Sequence, residues 1–360
     1  MIEANQKLFA RLADAVGDLV SSQVLQQKRA VQTDRDGKRW LQHLDIRSSS
    51  HLLLSSTSSL ALGEYEGDHY LVAVGLEVTT PPAEFECIPV NSGMFTAIVS
   101  ELQVPLLRSM DLAQQLHEYV FYPLEGEVGL IDVEIVRRFF ESIDVFRIDP
   151  TSGLVFDREF GLRAAIAAIL GAPKARPLEW PATSLERLSY MIRDPDEQAP
   201  FHLLLRAITE TREDSAFLAI YRCVEQLFPI PAIAELSDAL GLSHPALQVA
   251  ATIEQHLGWR RREDDAIAHL FGELEAPLID RLLQIVGVVP GEENRSKPVA
   301  KRIYELRNQC VHYRPVHGTT NGKQQFNSWL ALSDILLEVI QHLYSRYSGA
   351  FARPQNAVAV

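Results

Sequence analysis

The sequence of 360 residues contains few of the features that mark secreted, metal-binding or membrane proteins. Its three cysteines, Cys87, Cys223 and Cys310, are odd in number and lack metal-type spacing, so we expect buried thiols in a reducing compartment. No run approaches roughly eighteen apolar residues, and the N-terminus has no basic region leading into an apolar core. These absences predict a cytoplasmic protein with no signal peptide and no membrane contact.

The motifs of several enzyme classes are also missing. We find no dinucleotide-binding glycine fingerprint, no zinc ligand set and no Gly-x-Ser-x-Gly elbow. The stretch from Gly318 to Lys323 is one residue short of a P-loop, and the stretch from Asp34 to Lys38 lacks the glutamate of a calcium loop. The sequence therefore indicates no metal and no cofactor.

Positive charge is scarce relative to negative charge. With 34 lysines and arginines against 47 aspartates and glutamates, the formal net charge is −13. Such a surface as a whole repels nucleic acid, so RNA binding would need positive charge confined to a cleft. The candidates are Lys301, Arg302, Arg307 and Arg314. The triplet from Arg260 to Arg262 is a second candidate cluster, although it is more typical of a solvated helix end.

Length and the 47% of apolar residues are sufficient for two domains with hydrophobic cores. Residues 1–195 mix helical periodicity with short β-like runs, which predicts an α+β domain without the regular alternation of a doubly wound sheet. Five of the 19 prolines lie between Ala172 and Pro200, so we place the domain boundary there. Residues 200–350 are almost wholly helical in pattern and predict an all-α bundle, and residues 351–360 form a tail.

The secondary structure of both domains follows from hydrophobic periodicity and turn residues. In the first domain, helices are predicted over residues 4–31, 92–122, 133–143 and 160–170, with a turn at residues 34–38. Strands are predicted at residues 51–54, 59–62, 70–79 and 85–88, with a further strand pair at 145–148 and 154–156. A hairpin turn at Gly67 and Asp68 is predicted to join the second of these strands to the third. In the second domain, helices are predicted at residues 201–211, 213–228, 232–257, 264–287, 296–312 and 325–347.

The stretch from Arg302 to His312 carries the strongest functional signal. Within it, Arg307 and Asn308 are followed by three residues and then His312, while Pro315 predicts that the helix ends nearby. An arginine fork suits a phosphate, and a histidine exchanges protons near neutral pH. On an ideal helix, Arg307 and His312 lie about 140° apart. We therefore expect the backbone at the helix end to turn His312 towards Arg307.

Glu225 is the next candidate site residue. It lies at the edge of the apolar stripe of the helix predicted at residues 213–228, where a carboxylate is costly unless it has a partner. In one interpretation it orients Arg307 or His312. In the other it forms an ion pair with Arg222 or faces solvent. The sequence leaves both interpretations open.

The pattern Arg307-Asn308-x-x-x-His312 resembles the Arg-x4-His signature of HEPN domains, in the Arg-Asn-x3-His form of the Apea-like branch. The stretch from Phe217 to Phe228 is similar to the early helix of these domains, which carries an aromatic-Arg pair and then an acidic residue. The order of an acidic helix, a motif helix and a long closing helix also resembles that of the family. The resemblance covers about residues 200–350, and we recognise nothing in the first 195 residues.

This resemblance implies a metal-independent endoribonuclease that acts as a homodimer, with two motifs in one cleft. The ribose 2′-OH would attack the adjacent phosphorus, His312 would assist proton transfer and Arg307 would hold the negative charge. Asn308 and Glu225 are expected to complete the catalytic set. The residues expected to bind RNA are Lys301, Arg302, Tyr313 and Arg314.

Proteins that resemble this one often act in anti-phage abortive infection or as toxins. A phage-derived or nucleotide trigger would then act on the N-terminal domain. Two other functions stay open. Many HEPN-like bundles have lost cleavage and bind nucleotides or partner proteins. A structural adaptor would use Arg307 and His312 only to pair with Glu225 and a backbone carbonyl.

Overall fold

The structure is a computed structural model that describes residues 2–47, 50–122, 128–154, 159–242, 244–258, 261–289, 295–311 and 326–351. The chain forms two compact units, Met1–Ala175 and Arg176–Val360, called here the N-terminal unit and the C-terminal unit. The first combines a sheet with helices, and the described part of the second is helical. The prediction of an α+β region followed by a helical region is therefore confirmed.

The N-terminal unit begins with α1 (Ile2–Val16), whose buried residues include Leu8 and Leu12. The helix ends there because Gly17 adopts a left-handed conformation with φ +59°. A short helix, α2 (Ser22–Leu25), and a strand, β1 (Lys28–Val31), follow. The single helix predicted over residues 4–31 is therefore wrong beyond Val16.

The turn predicted at residues 34–38 is instead the start of α3 (Arg35–His43). The carboxylate of Asp34 caps this helix by accepting a hydrogen bond from the backbone N–H of Gly37 at 2.7 Å. Aspartate and glycine are typical of turns, but aspartate is equally favoured at a helix N-cap. Trp40 of α3 stacks on Tyr65 with 3.6 Å between the ring centroids, and this contact ties the helix to the sheet.

An antiparallel sheet lies at the centre of the N-terminal unit, in the order β2-β4-β5-β8-β6, with β3 also paired to β4. Its strands are β2 (Asp45–Ile46), β3 (Leu52–Leu53), β4 (Ser59–Tyr65), β5 (Asp68–Val74), β6 (Phe85–Ile88) and β8 (Ile143–Ile148). The hairpin predicted at Gly67 joins β4 to β5, as the pairing of Tyr65 with Asp68 confirms.

The strand predicted at residues 145–148 lies in β8, but its partners are β5 and β6. Leu154 of the predicted partner is in a turn, and residues 155 and 156 lie outside the described ones. A separate parallel pair joins β1 to β7 (Val128–Ile131).

Four further α-helices lie in the described part of the N-terminal unit: α4 (Ser92–Leu102), α5 (Leu112–Tyr119), α6 (Val133–Arg137) and α7 (Phe160–Leu170). The helix predicted over residues 92–122 is thus two helices, separated by a stretch that contains Pro105. The helix predicted over residues 133–143 ends at Arg137.

Helices α3 and α4 touch through their backbones at Gly37 and Gly93. A Cβ atom built on Gly93 would lie 1.7 Å from the carbonyl oxygen of Gly37. A side chain at Gly93 therefore cannot fit unless the two helices move apart.

We expect Gly93→Ala to lower the free energy of unfolding by at least about 2 kcal/mol, because the rigid backbone of α3 cannot make room for the methyl group. Urea denaturation followed by tryptophan fluorescence measures this loss. Gly349→Ala is the control, because a Cβ atom there meets nothing within 4 Å. An unchanged urea midpoint in Gly93→Ala would show that the two helices do not approach this closely.

The described C-terminal unit consists of helices. They are α8 (Ala182–Met191), α9 (Phe201–Thr209), α10 (Glu213–Glu225), α11 (Ile230–Leu240), α12 (Ala246–Leu257), α13 (Glu263–Gly272), α14 (Ala276–Val286), α15 (Ser296–Val311), α16 (Trp329–Arg346) and α17 (Ser348–Phe351). The helices predicted over residues 232–257 and 264–287 are each two helices. The first is divided before Pro245, and the second before Pro277.

Helix α8 explains why the structure divides after Ala175, near the start of the proline-rich stretch from Ala172 to Pro200 in which the domain boundary was predicted, rather than near residue 195, where the first domain was predicted to end. Arg187 of α8 donates hydrogen bonds to Gln341 and Glu338 of α16, at 2.9 and 2.8 Å. The hydroxyl of Ser184 donates to Asp334 of the same helix at 2.7 Å. Part of the proline-rich stretch therefore belongs to the C-terminal unit, and sequence analysis did not predict α8.

Helices α10 and α16 pack together in the core of the C-terminal unit. The hydroxyl of Tyr344 donates a hydrogen bond to the carbonyl oxygen of Cys223 at 2.9 Å, and the rings of Phe217 and Trp329 are 5.0 Å apart.

By length and composition alone, residues 213–240, which include α10 and α11, are long and apolar enough to cross a membrane. Of its most apolar part, 67% is buried inside the protein, as in a core helix.

Candidate functional site

Helix α15 carries the motif residues Arg307 and Asn308 close to its C-terminal end. Its buried face consists of Val299, Ala300, Ile303 and Leu306. Because this face packs inward, Arg307 lies at its edge with 19% of its side chain exposed. The described part of this helix extends to Val311, and the predicted site residues His312, Tyr313 and Arg314 lie outside the described residues.

Arg307 is held from one side by Glu225, the last residue of α10. Its Nε and Nη2 atoms donate hydrogen bonds to the same carboxylate oxygen, Oε1, at 3.1 and 2.8 Å. The side chain of Glu225 is only 25% exposed. A contact between Glu225 and Arg307 was one of the interpretations that the sequence left open, and the structure contains it.

The remaining terminal nitrogen of Arg307, Nη1, faces two other side chains. It donates a hydrogen bond to Oδ1 of Asn308 at 3.0 Å and lies 3.6 Å from Oε2 of Glu263, the first residue of α13. The side chain of Glu263 is 44% exposed. The guanidinium therefore lies between an inner carboxylate, Glu225, and a more exposed outer one, Glu263.

Glu263 was not among the site residues predicted from the sequence. It begins an acidic first turn with Asp264 and Asp265, a pattern that the helix dipole alone accounts for. Arg262 forms an exposed ion pair with Asp264 at 3.0 Å, as expected for a helix terminus that faces solvent. Only the folding of α13 against α15 shows that Glu263 faces Arg307.

The charges of the cluster shift the ionisation of its members. Burial raises the pKa of Glu225, the nearby charge of Glu263 adds to that rise, and Arg307 offsets part of it. Burial acts to lower the pKa of Arg307, but the two carboxylates outweigh it and the net pKa is raised. Arg307 thus stays charged, whereas Glu225 holds a proton more readily than an exposed glutamate.

Tyr221 lies on α10 one turn before Glu225 and is 1% exposed. Burial, followed by the charge of Glu225, raises the pKa of its hydroxyl. That hydroxyl has no hydrogen-bond partner in the described part of the chain. A buried hydroxyl without a hydrogen-bond partner costs about 1–3 kcal/mol. A ligand that formed a hydrogen bond to the Tyr221 hydroxyl would remove this cost.

Within the described residues, the other predicted RNA-binding residues of α15, Lys301 and Arg302, form no hydrogen bond or ion pair with the Arg307 cluster. Lys301 is exposed, and Arg302 forms an ion pair with Glu305 at 3.4 Å. Burial raises the pKa of the Cys310 thiol to about 11, so this cysteine is a poor nucleophile. In the described ranges no group of three or more histidine, cysteine, aspartate and glutamate residues could hold a metal ion.

No known family model, curated protein or solved structure matches this chain. The resemblance to HEPN domains therefore rests on the motif residues and on the order of the helices. Of those residues, the structure brings Arg307, Asn308 and Glu225 together.

We expect Arg307→Gln to raise the pKa of Glu225 further, because the substitution removes the charge that offsets the effect of burial. A group whose pKa is higher in the folded state stabilises the fold when protonated, and this contribution is lost as the pH rises through the folded-state pKa. Carbon-13 NMR titration of the glutamate carboxylates measures the shift. Arg302→Gln is the control, and a pKa that stays unchanged in Arg307→Gln would contradict the described ion pair.

Proposed function

We propose that the C-terminal unit is a HEPN-like endoribonuclease that cleaves RNA through Arg307 and His312 without a metal ion. The observation that carries this proposal is the fixed guanidinium of Arg307, which is held by Glu225 and Asn308 five residues before His312 in the chain. A half-buried arginine with three hydrogen bonds loses little further freedom when it binds a phosphate. Such preorganisation is what stabilisation of a charged transition state requires.

In the proposed reaction, the 2′-OH of a ribose attacks the adjacent phosphorus. The bond between O2′ and phosphorus forms as the bond from phosphorus to the 5′ oxygen breaks. This leaves a 2′,3′-cyclic phosphate and a 5′-hydroxyl. His312 takes part in proton transfer at these oxygens, and Arg307 balances the negative charge that builds on the phosphoryl oxygens. Glu225 and Asn308 position Arg307.

RNA binding by a chain with a net charge of −13 depends on local positive charge. Lys301 and Arg302 of α15 are the described candidates, and we propose Tyr313 and Arg314 as further RNA-binding residues on the sequence pattern alone. By resemblance to HEPN proteins, the active form is a homodimer in the cytoplasm. The N-terminal unit then senses a phage-derived or nucleotide trigger in anti-phage defence or toxin activity.

A second candidate is a HEPN-like module that binds a nucleotide or a partner protein without cleaving RNA. One observation favours it: Arg307 already faces Glu225, Asn308 and Glu263, so much of its binding capacity is used within the protein. Of its five N–H donors, three form hydrogen bonds to Glu225 and Asn308. Cleavage assays separate the two candidates.

The first experiment expresses the wild type, His312→Ala and Arg307→Ala in cells and sequences RNA that ends in 2′,3′-cyclic phosphate. We expect growth arrest and new RNA ends in the wild type and in neither of these two variants. Loss of a general acid–base residue lowers the rate by about 10²–10⁴-fold, and loss of a charge-stabilising donor by about 10²–10³-fold. His256→Ala, at an exposed position of α12, is the matched control and should behave as the wild type.

Cleavage that persists in both variants would contradict the proposed mechanism. If no strain arrests, phage challenge of the same strains distinguishes a nuclease that awaits its trigger from a module that only binds. Protection by the wild type that is lost in His312→Ala would support the nuclease. Protection by both, or by neither, would support the binding module.

A further inference from the structure

We infer that Glu263 makes the Arg307 site select a singly charged internal phosphodiester over a doubly charged terminal phosphate. This inference rests on the proposed function, because it takes Arg307 as the residue that binds phosphate. It assigns to Glu263 a role in specificity, on the outer side of the guanidinium.

The two carboxylates around Arg307 differ in how they are held. Glu225 accepts two hydrogen bonds through one oxygen and is 25% exposed. Glu263 is 44% exposed and lies 3.6 Å from Nη1, which is an ion pair beyond hydrogen-bond distance. A ligand therefore reaches the guanidinium from the outer side, where Nη1 lies, and meets Glu263 there.

The net charge of these three side chains determines how strongly they repel an approaching phosphate. One guanidinium stands against two carboxylates, so Arg307, Glu225 and Glu263 together carry a net negative charge when all three are ionised. Repulsion between Glu263 and a bound phosphate grows in proportion to the charge of the phosphate. A carboxylate this close to the phosphate site weakens binding by between about threefold and tenfold for each unit of ligand charge.

Internal and terminal phosphates of RNA differ in charge. An internal phosphodiester carries one negative charge, whereas a phosphate monoester carries about −1.5 to −2 at neutral pH, since its second pKa is about 6. Glu263 therefore penalises an RNA end more than an internal linkage. The 2′,3′-cyclic phosphate product is also singly charged, so its charge alone does not set it apart from the substrate.

The test compares full-length wild type with Glu263→Gln, which removes the charge and keeps the shape of the side chain. The control is Asp264→Asn, because Asp264 is the next residue in the same helical turn but pairs with Arg262 at 3.0 Å. Both substitutions change the net charge equally, so the comparison isolates the position of the carboxylate.

Two probes are titrated at pH 8 by calorimetry. One is a 2′-O-methyl uridine dinucleotide without terminal phosphates, which is a singly charged diester that the enzyme cannot cleave. The other is uridine 3′-monophosphate, which is doubly charged at this pH. We expect Glu263→Gln to bind the diester about three to ten times more tightly, and the monophosphate more tightly by about the square of that factor. Asp264→Asn should change either affinity by less than about twofold.

Equal gains for the two probes, or gains in Glu263→Gln no larger than those in Asp264→Asn, would overturn the inference and leave the phosphate site intact. Arg307→Ala tests whether Arg307 is the phosphate-binding residue, as the proposed function requires. If neither probe binds the wild type, or if both bind Arg307→Ala as tightly as the wild type, Arg307 is not the phosphate site. The proposed function and the inference would then both be wrong.

Discussion

A half-buried arginine needs a charged partner, and the pair formed by Arg307 and Glu225 is the interaction on which the candidate site depends. The pair connects the end of α10 to the last turns of α15, two helices that are far apart in sequence. The inward packing of Leu306 and Ile303 sets the rotation of α15 and so places Arg307 beside Glu225. Packing of apolar residues thus orients a polar side chain for chemistry.

Local patterns in the sequence predicted those parts of the fold that depend on neighbours in the chain. The hairpin at Gly67 and the helices around Glu225 and Arg307 agree with their periodicity and turn residues. Helix α3 was missed because the capping aspartate Asp34 has the composition of a turn. Helix α8 was missed because prolines flank it, although Arg187 and Ser184 anchor it to α16.

The candidate site, like the fold, could be predicted only where residues leave a local pattern in the sequence. Arg307 and Asn308 were predicted because they belong to a motif, and Glu225 because it is a carboxylate at the edge of an apolar helix face. Glu263 leaves no such pattern, because an acidic residue at a helix start is ordinary and its partner lies 3.6 Å away only after α13 packs on α15. Contacts between distant segments decide the electrostatics of a site, and a single sequence does not encode them in a readable pattern.

The attachment of α8 to α16 has a consequence for how such a chain evolves. A recombination event that joined residues from 200 onward to a new partner domain would lose Arg187 and Ser184, and would leave Glu338 and Asp334 of α16 without these partners. A junction near Arg176 instead keeps α8, and with it the hydrogen bonds between α8 and α16, within the helical unit. A helical unit that keeps these contacts therefore begins at α8, and the residues between Ala175 and α8 are the place at which a different N-terminal unit could be joined without breaking them.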